Sequence, residues 1–366
     1  MKEGWKYKKL GEVCKIYQPQ TIASSLLKED GKYPVFGANG MIGRYDSYNH
    51  EDPEVLLCCR GATCGAINVS LPFSWINGNA MVVKPINDSF LKSFLRYILL
   101  TLDYSHIITG AAQPQITRTS LSPVTVPVPT IIEQRSIVDY LDSAFAKIDS
   151  MKANAEKALN EAKALFQASL KEMLEPKEGW EEKKLGEIAF FSQGIQVDVN
   201  LQTERCSPGK VRFLRIIDVT QGNVPPRYID DPGERYYLKA DEIAMVRYGT
   251  VGFVCYGFEG VIANNLFKVS IKDKSKLQSN YLQYYLKSDL FQSHIRNGVG
   301  GAALPAIKFG DIKHIMLGYP SLSEQQSIVE TLDSLKSKVD RLQANYDKIS
   351  QECDALKQAI LRKVFE

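Results

Sequence analysis

The apolar positions of this chain trace one strong pattern twice. From Ile328 onward, Leu332, Leu335, Val339, Leu342, Tyr346, Ile349, Cys353, Leu356 and Ile360 alternate steps of four and three, the a/d spacing of a heptad seam. Moving back 191 residues gives Ile137, Leu141, Ala144, Ile148, Met151, Ala155, Ala158, Ala162, Leu165 and Ser169, the same seam with smaller residues in its middle. Small residues opposite large ones let two helices approach closely, which predicts that the two copies pack on each other. Each helix would be roughly 65 Å long at about 1.5 Å per residue. The other reading of each stripe is the core face of a different helical layer.

Both patterns open alike. Thr130-Ile-Ile-Glu133 and Ser321-Leu-Ser-Glu324 read as capping boxes, in which a hydroxyl accepts from the N3 amide and the N3 glutamate reaches back. Pro129 and Pro320 just before them help to break the preceding segment. From Glu133 the run Glu-Gln-Arg-Ser-Ile-Val-Asp-Tyr-Leu-Asp matches Glu-Gln-Gln-Ser-Ile-Val-Glu-Thr-Leu-Asp from Glu324, with seven identities in ten.

A second duplication lies in front of each helix. The ten residues from Glu3, with Trp5, Lys8, Lys9, Leu10, Gly11 and Glu12, return from Glu178 with eight identities at an offset of 175. Against the helix offset of 191, the second half carries a net insertion of 16 residues. The repeat unit is therefore a segment plus a helix, used twice. This divides the chain into residues 1–129, a long helix over 130–177, a second segment 178–320 and a final helix 321–366.

Within the segments a skeleton persists at an offset of 187. It pairs Arg60-Gly-Ala-Thr-Cys-Gly65 with Arg247-Tyr-Gly-Thr-Val-Gly252, and Trp75-Ile-Asn77 with Ile262-Ala-Asn264. The helical patterns of Phe94, Leu95, Tyr97, Leu99 and of Tyr281, Leu282, Tyr284, Leu286 share it. Residues 33–45 read as two short strands joined at Asn39-Gly40, a pair that tolerates positive φ in two-residue hairpin turns. Residues 55–59 and 242–246 read as buried strands followed by turns, as do 80–83 and 266–269. Each segment is thus strand-rich with one or two helices.

Composition narrows the function. With 366 residues and 44% hydrophobic content the chain can build two or three real cores. Seven cysteines show no paired Cys-x-x-Cys spacing, and Cys58, Cys59 and Cys64 have no histidine at ligand spacing, which argues against zinc. No apolar run approaches the ~18 to 20 residues of a membrane span, and the N-terminus lacks a signal region, so a reducing cytoplasm and no membrane are expected. A net charge of +3 is too mild to prove nucleic-acid binding; if DNA is the ligand, partners supply part of the phosphate neutralisation.

Catalytic signatures are missing. There is no Asn-Pro-Pro-Tyr/Phe tetrapeptide and no Walker lysine motif, and the Gly-x-x-Gly-x-x-Gly run from Gly37 does not open a helix. His50, His106, His294 and His314 lack acidic or serine partners at informative spacing. The segments do supply groups suited to base edges beside glycine-rich turns, since arginine can present two donors to guanine and asparagine or glutamine can pair twice with adenine. In the first segment these are Asn39, Arg44, Arg60, Asn77, Asn79, Gln113, Gln115 and Arg118. In the second they are Gln193, Gln196, Arg212, Arg215, Gln221, Asn223, Arg247, Asn264, Asn265, Arg296 and Lys308. For each one, a turn residue holding its own backbone or a solvated surface group is the competing reading. Each segment ends in a glycine-rich loop, 109–116 and 300–307, that suits either close approach to a phosphate or an ordinary turn before a strand.

Two variable segments, each followed by a long helix opening with Glu-Gln-x-Ser-Ile-Val, together with the repeated Trp-x-x-Lys-Lys-Leu-Gly-Glu, resemble the specificity subunit of type I restriction-modification enzymes. Tyr33-Pro-Val-Phe-Gly-Ala-Asn-Gly40 and Gln113-Pro-Gln-Ile-Thr-Arg118 resemble that family's target-recognition domains, and the likeness covers essentially the whole chain. One departure is Leu304-Pro-Ala-Ile307 where the first half has Gln113-Pro-Gln-Ile116. The resemblance implies an α+β fold: two strand-rich α/β target-recognition domains held apart by a pair of long antiparallel coiled-coil helices with pseudo-two-fold symmetry. It also implies a non-catalytic reader of a bipartite, asymmetric double-stranded DNA target with a fixed spacer. Its expected partners are two modification (methyltransferase) subunits and, in the full complex, restriction subunits. No cofactor is expected on this chain, S-adenosylmethionine, ATP and Mg being expected only on partner subunits. A non-enzymatic coiled-coil scaffold binding protein or carbohydrate is the alternative.

Overall fold

In a computed structural model the chain is described over residues 4–110, 113–298 and 306–366; parts of both glycine-rich loops lie outside them. The residues fall into two compact units. One comprises Met1–Ala155 with Asp347–Glu366, the other Glu156–Tyr346. The fold combines sheets and helices as an α+β architecture, with two 44-residue helices, Ile131–Leu174 and Leu322–Phe365, contributing to both units.

The first unit is built on a four-stranded antiparallel sheet in the order Cys14–Tyr17, Ala80–Pro85, Val55–Cys58, Ile67–Val69. Strand residues alternate between faces, and here both faces are covered. Cys14, Ile16, Val55, Leu57, Met81 and Val83 join the core beneath the helix Lys92–Thr101 and the long helices, whereas Leu56, Ala80 and Val82 pack with Phe36 and Ile76. Burial on both sides is why Val55–Cys58 reads as an unbroken apolar run. Over the second face, Tyr33–Gly37 pairs antiparallel with Gly40–Tyr45 and parallel with Trp75–Ile76.

The second unit repeats this plan. Its sheet runs Ala189–Gln193, Leu266–Ile271, Ile243–Val246, Val254–Tyr256, and Lys210–Leu214 pairs parallel with Gly260–Ile262 as Tyr33–Gly37 does with Trp75–Ile76. Where the first unit has the hairpin strand Gly40–Tyr45, the second has a short helix, Ile216–Thr220, and strands Arg227–Asp230 and Tyr237–Leu238. Much of the extra length of the second half sits here.

Each segment is fastened to a long helix by a buried glutamine. In the first unit Gln134 Oε1 accepts from the Leu91 amide at 2.8 Å, while its Nε2 donates to the carbonyls of Ser89 and Pro129 at 2.9 and 3.0 Å. In the second, Gln325 accepts from the Gln278 amide at 2.9 Å and donates to the carbonyls of Lys276 and Pro320, both at 2.8 Å. These are the glutamines of the two Glu-Gln-x-Ser-Ile-Val motifs. Thr130 and Glu133 form the predicted capping box, with bonds of 2.9 Å from the Thr130 amide and 3.3 Å from the Glu133 amide.

Within the first unit the helices run antiparallel, since Asp149 pairs with Lys357 while Lys152 lies 3.6 Å from Asp354. In the second unit Lys163 donates to Gln343 at 2.8 Å. The seam departs from the sequence pattern in the first helix. Leu141 and Ile148 are buried, and Ile137, Ala144, Ala155 and Ala162 are half-buried. Met151 and Leu165 are each 60% exposed, and Ala158 is exposed too. The alternate seam position falls one residue later, at Val138, Phe145, Lys152, Leu159 and Phe166. One residue turns the helix by about 100°, and the larger rings and branches of Phe145, Leu159 and Phe166 bury more apolar area than their neighbours Ala144, Ala158 and Leu165 would. In the second helix Ile328, Leu332, Val339 and Cys353 are buried, with Leu335, Leu342, Tyr346, Ile349 and Ile360 half-buried. Leu356 is 48% exposed, and Lys357 beside it is half-buried.

The hairpin also differs from expectation. Gly37 pairs with Gly40, so the chain bends at Ala38-Asn39 and the pairing register shifts at Val35/Phe36. Gly40 carries the positive φ, +108°, and among described non-glycine residues only Phe73 is left-handed. The left-handed conformation thus falls on the residue after the turn.

Candidate nucleic-acid interface

The candidate residues of the first unit gather where the central strand Val55–Cys58 ends. The chain turns there through Gly61 and Gly65, at φ +87° and +96°, conformations that glycine adopts without steric cost. The turn is closed by Gly65 N–H on the Cys58 carbonyl at 2.8 Å and tied to the hairpin tip by Thr63 Oγ1, which donates to Asn39 Oδ1 at 2.5 Å. On its other side Arg60 pairs through its backbone with Gln115, and the Ile116 amide donates to the Cys59 carbonyl at 3.0 Å. The Cys59 amide reaches the Asn79 carbonyl at 3.4 Å, and Gln18 Nε2 donates to the Gly78 carbonyl at 2.9 Å.

Asn39, Arg60, Asn79, Gln113 and Gln115 therefore share one edge of the unit, all exposed except the half-buried Gln115. The exposed Arg118 begins the short helix Arg118–Leu121 just beyond. Two candidates hold the fold together instead. Arg44 donates from Nε to the Gly31 carbonyl at 2.5 Å and from Nη2 to the Lys32 carbonyl at 2.9 Å. Asn77 is buried, its Oδ1 accepting from the Ile22 amide at 2.9 Å.

The second unit assembles the equivalent edge. Gln193 Nε2 donates to the Asn264 carbonyl at 3.1 Å, repeating the Gln18 contact, and Asn264 Nδ2 donates to Gln196 Oε1 at 3.0 Å. The Arg247 amide donates to the Asn265 carbonyl at 2.8 Å, and the buried Asn265 Oδ1 has no hydrogen-bond partner. Gln221 and Asn223 are exposed just after the helix Ile216–Thr220. That helix lies beside the turn, since a Cβ on Gly249 would sit 3.5 Å from Ile216 Cδ1. Lys308, exposed, caps the helix Phe309–Lys313 through its amide, which donates to Asp311 at 2.7 Å. Arg296 pairs with Asp289 on the solvent side of the helix Asp289–Gly298, whose Phe291 and Ile295 are buried.

Arg212 and Arg215 have a different task. Both guanidiniums reach the buried carboxylate of Asp218, each at 2.7 Å, and Arg215 also donates to the Pro225 carbonyl at 2.9 Å. Burying a carboxylate without partners is costly, so these two ion pairs offset the burial of Asp218 and fix the segment after the strand Lys210–Leu214.

The hydrogen bonds also correct the sequence alignment of the two turns. The Cys59 carbonyl accepts from Ile116 as the Arg247 carbonyl accepts from Ile307, and Arg60 bridges Gln115 as Tyr248 bridges Ala306. Gly61 and Gly249 follow at φ +87° and +92°. Arg247 is therefore the counterpart of Cys59, and Tyr248 that of Arg60. The second turn is one residue shorter, because Gly65 and Gly252 close the two turns on Cys58 and Val246. Likewise Asn77 corresponds to Ala263, their amides donating to Phe36 and Leu214. Sequence reasoning missed Tyr248 because matching arginine to arginine hid the shift. It missed Gln18 although the offset of 175 from Gln193 marks it.

Among the described residues no group of three or more histidine, cysteine, aspartate or glutamate side chains could hold a metal ion, and no helix is long and apolar enough to cross a membrane.

Twin sheets with unlike residues on matching edges, each anchored to long helices, define an internally duplicated protein, and comparison with known proteins places it. The family model for the type I restriction modification DNA specificity domain matches residues 2–161 and 177–351, and the chain belongs to that family. It is 23% identical over 335 residues to a type I restriction enzyme specificity subunit of Salmonella potsdam, covering 84% of this chain and 68% of the relative. A specificity subunit of Escherichia coli is 22% identical, covering 99% of this chain and 88% of the relative. Among solved structures, the HsdS subunit from Thermoanaerobacter tengcongensis has the same fold, with a TM-score of 0.55 at 18% identity over 100% of this chain and 97% of that one. A chain from a structure of type I restriction-modification assembly and conformational transition gives a TM-score of 0.75, also at 18% identity, over 100% and 98%.

Proposed function

We propose that this chain is the non-catalytic DNA-reading specificity subunit of a type I restriction-modification complex. The observation that carries this reading is the edge built twice by the same strand, glycine turn and returning segment, but furnished with unlike side chains. One scaffold with two sets of base-edge donors and acceptors suits two unlike short blocks of double-stranded DNA. Methylation and cleavage belong to partners: two modification subunits, and restriction subunits in the full complex. S-adenosylmethionine, ATP and Mg belong on those subunits, in the cytoplasm.

The target is then two blocks separated by a fixed unread spacer whose length follows from the long helices. The test is to map N6-methyladenine across a host genome with and without this chain, its modification subunits being present throughout. A bipartite motif that disappears with the chain is expected. Removing seven residues in register from each long helix is expected to change the spacer and leave both blocks intact. A changed block with an unchanged spacer overturns the ruler role, and absence of DNA affinity in the presence of modification subunits leaves a protein- or carbohydrate-binding scaffold.

A further inference from the structure

We propose that the second residue beyond the end of the central strand, Arg60 in the first unit and Tyr248 in the second, is the equivalent base-reading position of the two units, and that Arg247 is a positioning residue. The proposal rests on the DNA-reading function above and assigns it to particular side chains.

The backbone of this position is fixed identically in both units. Arg60 bridges Gln115 and Tyr248 bridges Ala306, and the next residue is a glycine at φ +87° or +92°. A paired backbone followed by a left-handed glycine sets the direction of the side chain without constraining its identity. The side chains are free to differ, and they do. Arg60 is exposed, and its guanidinium has no hydrogen-bond partner among the described residues; Tyr248 is 38% exposed.

Arg247 occupies the place of the fully buried Cys59 instead. It is half-buried, and its Nε donates to the Ile307 carbonyl at 3.1 Å. That bond, with the Ile307 amide on the Arg247 carbonyl at 2.9 Å, holds the returning segment against the strand end. Arg247 thus supports the position that Tyr248 presents.

The chemistry of the two readers differs. A guanidinium offers two parallel donors that match guanine O6 and N7. A phenol offers one hydroxyl and a flat apolar ring that can lie against a thymine methyl or a base face. The block read by the first unit should therefore contain a guanine contact that has no counterpart in the second.

The experiment uses the full chain co-produced with its modification subunits, with methylated sites sequenced from a library of randomised targets. Tyr248→Arg is expected to introduce a guanine preference of roughly ten- to hundredfold at one position of one block, leaving the other block unchanged. Arg60→Ala is expected to relax one position of the other block. Tyr248→Phe keeps the ring and guards against a folding failure; it should weaken the wild-type preference at the same position. Arg247→Lys is expected to lower binding evenly across sequences. Unchanged preferences in all three of Tyr248→Arg, Tyr248→Phe and Arg60→Ala overturn the proposal, as does a uniform loss that marks these residues as phosphate contacts. If the wild-type complex shows no bipartite methylation, it is the DNA-reading function that fails.

Discussion

The hydroxyl of Tyr284 donates to the carboxylate of Asp333 at 2.5 Å, joining the helix Ser279–Lys287 to the second long helix. Tyr97 makes the same bond to Asp142 in the first unit. Both tyrosine rings are buried and both aspartates exposed, so the bond is made at the rim of the packed surface. Tyr284→Phe is expected to destabilise the second unit by about 1–2 kcal/mol, in the range for a hydrogen bond to a charged group with a solvated acceptor. Chemical denaturation of wild type and variant measures it, and an unchanged midpoint would show that solvent replaces the bond without loss.

The glutamine clamps should matter more. Removing Gln325 leaves the Gln278 amide and the carbonyls of Lys276 and Pro320 without their partner in a buried site. Gln325→Ala is expected to cost about 2–4 kcal/mol, several orphaned groups at about 1–3 each with partial relaxation. Hydrogen exchange should show the loss locally, with faster exchange at Gln278 and in the helix that follows; protection equal to wild type there counts against the clamp.

Asp218 is the shared partner of two arginines, so its removal leaves like charges side by side. Asp218→Asn is expected to destabilise the second unit by about 2–3 kcal/mol, less than the 3–5 of a fully buried pair because both guanidiniums reach solvent in part. Arg227→Ala, which breaks a pair with the exposed Glu204, should cost no more than about 1 kcal/mol. Equal losses in the two variants would remove Asp218 from its special role.

Asn77→Ala and Arg44→Ala separate fold from reading. Asn77 caps the buried Ile22 amide and Arg44 ties down the Gly31 and Lys32 carbonyls, so each variant is expected to lose about 1–3 kcal/mol of first-unit stability. Relative base preferences measured on folded protein should match wild type. A selective change at one base position would return these residues to the reading surface.

Alkaline pH probes the second core. Burial is the main cause that holds the phenols of Tyr281, Tyr284 and Tyr285 above the ordinary tyrosine value. The native state keeps protons that the unfolded chain releases, so this contribution is complete below about pH 10 and falls as pH rises beyond it. Phenolate absorbance of these residues should rise together with loss of helical circular dichroism. Ionisation near pH 10 with the helices intact would contradict it.

Much of this protein was legible in order of residues. Matched capping boxes, a seam on alternating steps of three and four, and two repeated motifs sufficed for long helices and duplication, because periodicity and local capping depend on neighbours in the chain; the family rested on the resemblance of the repeated motifs. The buried central strands were legible for the same reason, since an apolar run such as Val55–Cys58 permits few other placements. Tertiary structure alone decided the phase of the first helix, where Leu159 and Phe166 displaced Ala158 and Leu165 from the seam. It also decided which candidates serve the fold, as with Arg44, Asn77 and Arg212, and it paired Arg60 with Tyr248 against the sequence alignment. A helix face can rotate by one residue, and a turn can lose one, without disturbing the pattern of residue types. Only packed area and backbone hydrogen bonds between distant segments tell such alternatives apart.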